Sequence, residues 1–153
     1  FTWPIFRYAE ILLNYVEALN EYDPSHGDIL KYLNQIRERA GVPNIDVVYP
    51  EAVGNQSLMR ELIRRERRVE LSFENKRFFD TRTWMIAEEV DGGPMWGMNT
   101  SSSAPSPNAS TTPEAFWERT VFETRVFEPK HYLYPLHQRE LDRNKMITQN
   151  YGW

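Results

Sequence analysis

The chain has 153 residues, of which 41% are hydrophobic and 26% are charged, and its formal net charge at pH 7 is −4. An acidic chain of this kind lacks the basic surface with which nucleic-acid-binding proteins contact phosphates, so that class of function is excluded. The absence of cysteine excludes disulfide bonds, thiolate metal sites and cysteine nucleophiles. No run of about 18 apolar residues occurs, so the sequence predicts no membrane-spanning helix.

The first part of the chain predicts a pair of helices within residues 5–41. Apolar residues recur at steps of three and four from Ile5 to about Tyr22, which is the period of an amphipathic helix. Residues 23–27 then have the composition of a turn. Asp28 is the expected N-cap of the second helix, and Gly41 is its expected C-cap. Two helices joined by so short a turn form an antiparallel hairpin.

A central helical segment is expected over residues 58–88, with an interruption near Asn75. Its apolar positions fall on one helical face, which comprises Leu58, Leu62, Val69 and Phe73. Most of the remaining positions are charged. The segment therefore predicts a buttress held by apolar contacts and ion pairs.

Its densest group of charges comprises Glu66, Glu70, Glu74, Arg77 and Asp80. One interpretation pairs Glu66 with Glu70 as the acid and base of a glycosidase, whose two carboxyl groups lie about 5–10 Å apart. Neighbouring arginines would instead lower the pKa of both carboxyl groups, which leaves no proton donor near neutral pH. We therefore expect a structural ion-pair network, with Arg37 and Arg39 as partners.

The sequence changes character after the central segment. Residues 89–115 are rich in Gly, Pro, Ser, Thr and Asn and predict a variable loop. Residues 116–128 alternate Val and Thr with aromatic residues, which predicts one strand or a short hairpin, followed by a C-terminal segment that reaches residue 153.

Four residues are candidates for contact with a ligand: Trp96, Asn99, Trp117 and Tyr49. Sugars present flat C–H faces that pack on aromatic rings, while amide side chains bind their hydroxyl groups. In the alternative interpretation each aromatic ring packs under its own loop. The three histidines lack the spacing of metal ligands, so we expect neither a metal site nor a cofactor.

Four segments carry a resemblance to a known family. They are FRYAEILLNYVEALNE (residues 6–21), ILKYLNQIRERAGVP (29–43), IRRERRVELSFENKRFFDTRTW (63–84) and YLYPLHQRELDRNKMITQNYGW (132–153). Their order and spacing resemble the C-terminal part of the SusD/RagB family of nutrient-binding outer-membrane lipoproteins. Asn75 stands where the family usually has glycine, and Tyr151 stands where it usually has proline.

The resemblance implies a mainly α fold of TPR-like helix pairs, in which residues 1–153 form the C-terminal portion of a single SusD-like domain. The family's N-terminal half, signal peptide and lipidated cysteine are not in this chain, so we expect its helices to expose apolar surface that the missing half would cover. The implied function is non-enzymatic binding of oligosaccharides or related nutrients at the cell surface of a Gram-negative bacterium. The implied partner is a SusC-like TonB-dependent transporter in the outer membrane. The alternative is a TPR-like protein–protein interaction module without a small-molecule site.

Overall fold

The structure, a computed structural model, describes residues 5–99 and 114–153. The chain divides into two compact units, of which the first ends at Arg77 and the second begins at Phe78. Helices dominate the described residues, and the strands form one small two-stranded sheet. The mainly α fold class expected from the sequence is confirmed.

The first unit contains the expected helix pair and most of the central helix. Its helices are α1 (Tyr8–Tyr22), α2 (Asp28–Ala40), the short α3 (Ile45–Val48) and α4 (Gln56–Glu70), with a single 3-10 turn at Pro50–Ala52 before α4. Helix α1 begins three residues later than Ile5, the expected start. Arg7 explains the difference because its backbone is extended, with φ −142° and ψ 166°.

The turn between α1 and α2 differs in one detail from the expectation. Asp28 is the first residue of α2 rather than its cap, and the cap position belongs to Gly27. The backbone N–H of Asp28 donates a hydrogen bond to Nδ1 of His26 instead. Gly41 is the C-cap as expected, with a left-handed φ of 73° that a glycine adopts without strain.

The core of the first unit lies where α1 packs against both α2 and α4. Twelve buried apolar residues fill it: Leu12, Leu13, Val16, Ile29, Leu33, Ile36, Ile45, Ala52, Met59, Leu62, Ile63 and Leu71. Asn20 is also fully buried, and its side-chain amide donates to the backbone carbonyl of Gln56. The Gln56 side chain returns the contact by donating to the carbonyl of Asn20, so the end of α1 is joined to the start of α4.

The central helical segment is interrupted more strongly than expected. Helix α4 ends at Glu70, and the chain resumes as α5 (Arg77–Thr83) and α6 (Ala87–Val90). In the turn between α4 and α5, Phe73 and Asn75 have left-handed φ values of 64° and 60°, which an α-helix cannot contain. The predicted apolar face was therefore wrong at its C-terminal end, where Val69 and Phe73 are 66% and 95% exposed.

The second unit corrects the prediction of a loop over residues 89–115. Strand β1 (Gly93–Met98) lies within that range and pairs antiparallel with β2 (Arg119–Arg125). Residues 100–113 of the predicted loop lie outside the described residues. Helix α7 (Glu114–Trp117) occupies the beginning of the stretch expected to be a strand. Pairing between distant segments decides such short strands, and local composition does not encode it.

The C-terminal segment completes the second unit with a 3-10 turn at Pro129–Tyr132 and α8 (Gln138–Arg143). The tail is fixed by Trp153, whose indole N–H lies 3.0 Å from the carbonyl oxygens of both Lys130 and Leu133. The hydroxyl of Tyr132 accepts a hydrogen bond from the backbone N–H of Ala87, the first residue of α6. The tail thus closes onto the helical part of the same unit.

Candidate ligand-binding site

One side of the β1–β2 ladder presents apolar side chains to solvent. Burial alternates along β1, with Trp96 and Met98 on the exposed side. Their paired residues on β2 are Val121 and Arg119 respectively. Directly paired residues of an antiparallel ladder lie on the same side of the sheet. We call the surface formed by these four residues the hairpin face.

On the opposite side of the ladder from Trp96, the backbone makes room for the ring of Phe122. A β-bulge between Met95 and Trp96 places Phe122 as the extra residue on β2. The Phe122 ring lies across Gly97, where a Cβ atom would come within 3.1 Å of it. Gly97 therefore leaves room for that ring on one side, while Trp96 projects from the other and is 51% exposed.

The other two predicted ligand residues of this unit lie at the same end of the ladder. The backbone N–H of Asn99 donates to the carbonyl of Phe116 at 3.2 Å, which joins the end of β1 to α7. Trp117 follows Phe116 in α7 and is 53% exposed. Its ring packs edge-on against the Phe116 ring, with the two ring centres 5.2 Å apart. Asn99 and Trp117 thus lie at one end of the ladder, and Trp96 lies three residues before Asn99 on β1.

Arg119 is a residue of the hairpin face that the sequence analysis missed. Its guanidinium lies over the Trp96 ring, 5.5 Å from the ring centre. A cation in this position is attracted by the π electrons of the indole. The ladder register is the only signal that links Arg119 with Trp96, and that register depends on a pairing that the sequence analysis did not predict.

Tyr49 is the fourth predicted ligand residue, and it belongs to the first unit. It is partly buried and packs against the helical core there. Its hydroxyl accepts a 3.3 Å hydrogen bond from Arg65. It lines a shallow cavity of about 180 Å³ whose wall also includes the paired Arg37 and Glu66.

The glutamates predicted to form an ion-pair network do make ion pairs. Glu66 lies 2.6 Å from Arg37, and Glu70 pairs with Arg39. Arg7, which the sequence analysis did not name, contacts both Glu70 and Glu74. Hydrogen bonds from Arg7 lower the pKa of the Glu74 carboxyl group below its ordinary value, since they favour its ionised form.

The remaining two members of the predicted network lie at the start of α5. Asp80 is 8% exposed, and both it and Arg77 interact with other groups. A second set of ion pairs joins α1 to α4: Glu21 with Arg60, Glu17 with Arg64 and Glu10 with Arg67. The signal for it was present in the sequence, because both helices repeat one sign of charge at steps of three, four or seven.

Among residues 5–99 and 114–153, no group of three or more His, Asp or Glu residues could hold a metal ion. Over the same residues, no helix combines the length and the apolar character needed to cross a bilayer.

The architecture defines a mainly helical protein that displays an exposed aromatic surface on a small sheet. The SusD family matches residues 1–153, and the chain belongs to that family. SusD-like protein P2 of Formosa agariphila is 31% identical over 147 residues, which cover 94% of this chain and 24% of that protein. The resemblance drawn from the four sequence segments is therefore confirmed.

Solved structures agree with this assignment. A SusD-like protein from Bacteroides fragilis superposes with a TM-score of 0.79 at 34% identity, covering 99% of this chain and 26% of that one. BT4246 gives a TM-score of 0.80 at 31% identity, with 97% and 23% of the two chains covered. The chain thus spans about a quarter of the length of the relatives that it matches. SusD-like proteins as a family are known as nutrient-binding proteins.

Proposed function

We propose that this protein binds oligosaccharides or related nutrients without chemically changing them, and that the hairpin face together with Asn99 and Trp117 contacts the ligand. The observation that carries the proposal is the exposure of about half of each indole, Trp96 and Trp117, within one small unit. Exposed apolar side chains that lie next to one another, as Trp96 does with Met98 and Val121, mark binding surfaces. An indole offers a flat apolar face together with a polar N–H, which suits the mixed surface of a sugar.

The ion pairs of the first unit support a non-enzymatic role. A glycosidase needs one carboxyl group with a raised pKa to act as the general acid. Glu66 and Glu70 each form an ion pair with an arginine side chain, Arg37 and Arg39 respectively. The geometry therefore favours a structural role for these carboxylates over acid–base catalysis.

We further propose that the protein acts at the cell surface of a Gram-negative bacterium, where it delivers its ligand to a SusC-like TonB-dependent transporter in the outer membrane. Membership of the SusD family supports this role. Attachment to the membrane would use a lipid anchor.

Calorimetric titration of the full-length protein with a panel of oligosaccharides tests the binding role. Trp96→Ala and Trp117→Ala should each weaken binding by about two- to thirteenfold, since an aromatic stacking contact contributes about 0.5–1.5 kcal/mol. Tyr22→Ala is the matched control, because Tyr22 is 89% exposed but lies on α1 in the first unit. Equal affinities for all four proteins would reject this site.

A protein–protein interaction module is the second candidate, and the outer side of α1 favours it. Tyr8, Ile11, Tyr15 and Tyr22 recur at steps of three, four and seven and are 65%, 48%, 41% and 89% exposed. We call these four residues the α1 stripe. An apolar stripe of this length on a helix is typical of a surface that packs against another helix.

A further inference from the structure

We infer that the hairpin face selects oligosaccharides that carry an anionic group, a carboxylate or a sulfate, and that Arg119 binds that group. This inference rests on the proposed function, because it specifies the ligand class of the same site. Three observations carry it: the position of Arg119, its charge environment and the apolar character of its neighbours.

The position of Arg119 is fixed by the ladder. It pairs with Met98, on the same side of the sheet as Trp96. Its guanidinium lies over the indole ring at 5.5 Å from the centre. A sugar ring stacked on the exposed part of the indole would hold its substituents beside this guanidinium. Carboxylate and sulfate oxygens accept paired hydrogen bonds from the planar guanidinium fork, which a single hydroxyl group cannot do.

The charge environment of Arg119 differs from that of three cations nearby in the second unit. Arg125, on the same strand, lies 3.9 Å from Glu123, and Lys130 lies 3.0 Å from Glu128. Arg82 similarly faces Asp91 at 3.7 Å. Among the side chains that the structure describes, in residues 5–99 and 116–153, no carboxylate pairs with Arg119, and its guanidinium contacts the Trp96 ring.

The other residues of the hairpin face carry no charge. Met98 and Val121 are 48% and 47% exposed and provide apolar surface beside the indole. A cation among apolar groups attracts an anion more strongly than one that is already neutralised by a neighbour. The face therefore combines a stacking surface for a sugar ring with one positive charge for an acidic substituent.

An alternative role for Arg119 is to cover the Trp96 ring by cation–π stacking alone. In that case its replacement would alter binding of neutral and acidic sugars equally, since the effect would act through the indole. An anion-binding role predicts a loss confined to acidic ligands. The two roles are therefore separated by comparing ligand classes on the same variant.

The test is a glycan array that holds neutral, uronate-bearing and sulfated oligosaccharides, probed with the full-length protein and followed by calorimetry on the strongest ligands. We expect acidic glycans to bind most strongly. Arg119→Gln should weaken them on the order of tenfold, because a hydrogen bond to a charged group is lost. Arg119→Lys should retain part of the affinity for acidic glycans. Raising the salt concentration should lower the affinity of the unchanged protein for the same glycans. Arg125→Gln is the matched control, an arginine of the same strand that already has a carboxylate partner.

The outcomes separate this inference from the proposed function. Strongest binding to neutral glycans, or an equal effect of Arg119→Gln on neutral and acidic glycans, would overturn the anion selectivity while leaving oligosaccharide binding intact. Failure to bind any neutral or acidic glycan would overturn both. Comparison of the uronate-bearing and sulfated glycans shows which anionic group Arg119 binds.

Discussion

Arg7 joins parts of the chain that are far apart in sequence. It lies just before α1, yet its guanidinium contacts the carboxylates of Glu70 and Glu74, which are 63 and 67 residues further along. It also donates to the backbone carbonyl of Glu70, one of the orphan acceptors at the end of α4. One side chain thus closes the end of α4 and holds the following turn against the start of α1.

This contact predicts a dependence of stability on pH. The hydrogen bonds from Arg7 lower the pKa of Glu74 in the folded state below its ordinary value of 4.5. Stability from this pair is therefore complete above about pH 4.5 and is lost as the pH falls through the lower, folded-state pKa. Urea unfolding of the chain between pH 7 and pH 3 should show this loss, and Glu74→Gln should flatten the acid limb.

The control for this prediction is Glu61→Gln, which removes an exposed carboxylate from the outer side of α4. It should leave the acid limb close to that of the unchanged protein, since exposed charges contribute little to stability. If Glu74→Gln and Glu61→Gln gave the same pH profile, the assigned role of Arg7 and Glu74 would be wrong.

Among the elements, the turn between α4 and α5 requires a residue at position 75 that tolerates a left-handed backbone conformation. Asn75 has a left-handed φ of 60°, and asparagine adopts this conformation more readily than most residues other than glycine. The family usually has glycine at this position, and the backbone gives the physical reason for both choices. The same turn leaves Phe73 exposed in a left-handed conformation, which is unusual for a bulky residue.

Substitutions at Asn75 should therefore follow backbone strain. Asn75→Ala should lower the free energy of unfolding by about 1 kcal/mol, while Asn75→Gly should leave it within about 0.5 kcal/mol. Exposed Gln35, inside α2, is the control, because regular helical dihedrals there should make Gln35→Gly less stable than Gln35→Ala. The same ranking of Ala and Gly at both positions would contradict this account.

The elements also show how far the sequence could predict the fold. Helices α1 and α2 follow from a local periodicity and from Gly41, so they were predictable to within a few residues. Strand β1 was not, because GPMWGM reads as loop until it is paired with β2 about 25 residues later. The ion pairs were likewise only partly predictable. Arg37 and Arg39 were identified from the sequence as partners of the α4 glutamates. Arg7 was not, because it meets Glu70 and Glu74 only when the start of α1 lies beside the end of α4.

The candidate site was partly predictable for a related reason. Trp96, Asn99 and Trp117 were identified as aromatic and amide residues in a polar context, without knowledge of any contact between them. Their placement near one end of the ladder depends on the pairing of β1 with β2 and on the hydrogen bond from the Asn99 backbone N–H to the carbonyl of Phe116. Tyr49 shared their chemistry but packs against the helical core. Residue type therefore predicted candidates, and only the fold separated a surface residue from a packed one.

At the scale of the whole molecule, the exposed α1 stripe predicts how the 153-residue chain behaves alone. An apolar helical surface in water favours association with another such surface. Light scattering should therefore give a mass above the 18.2 kDa of one chain. Tyr8→Asp combined with Ile11→Asp should shift the chain towards the monomer, whereas Val47→Asp, at a 70% exposed position on α3, should not. A monomeric unchanged chain would contradict this prediction.

The central claim is that the aromatic surface of the second unit binds an oligosaccharide. A crystal structure of the full-length protein with a bound oligosaccharide tests it most directly. A sugar ring should stack on Trp96 or Trp117, with carbon atoms within about 4.5 Å of the indole, the distance of direct apolar contact. An oligosaccharide bound elsewhere, with both indoles left in solvent, would show that this surface is not the binding site.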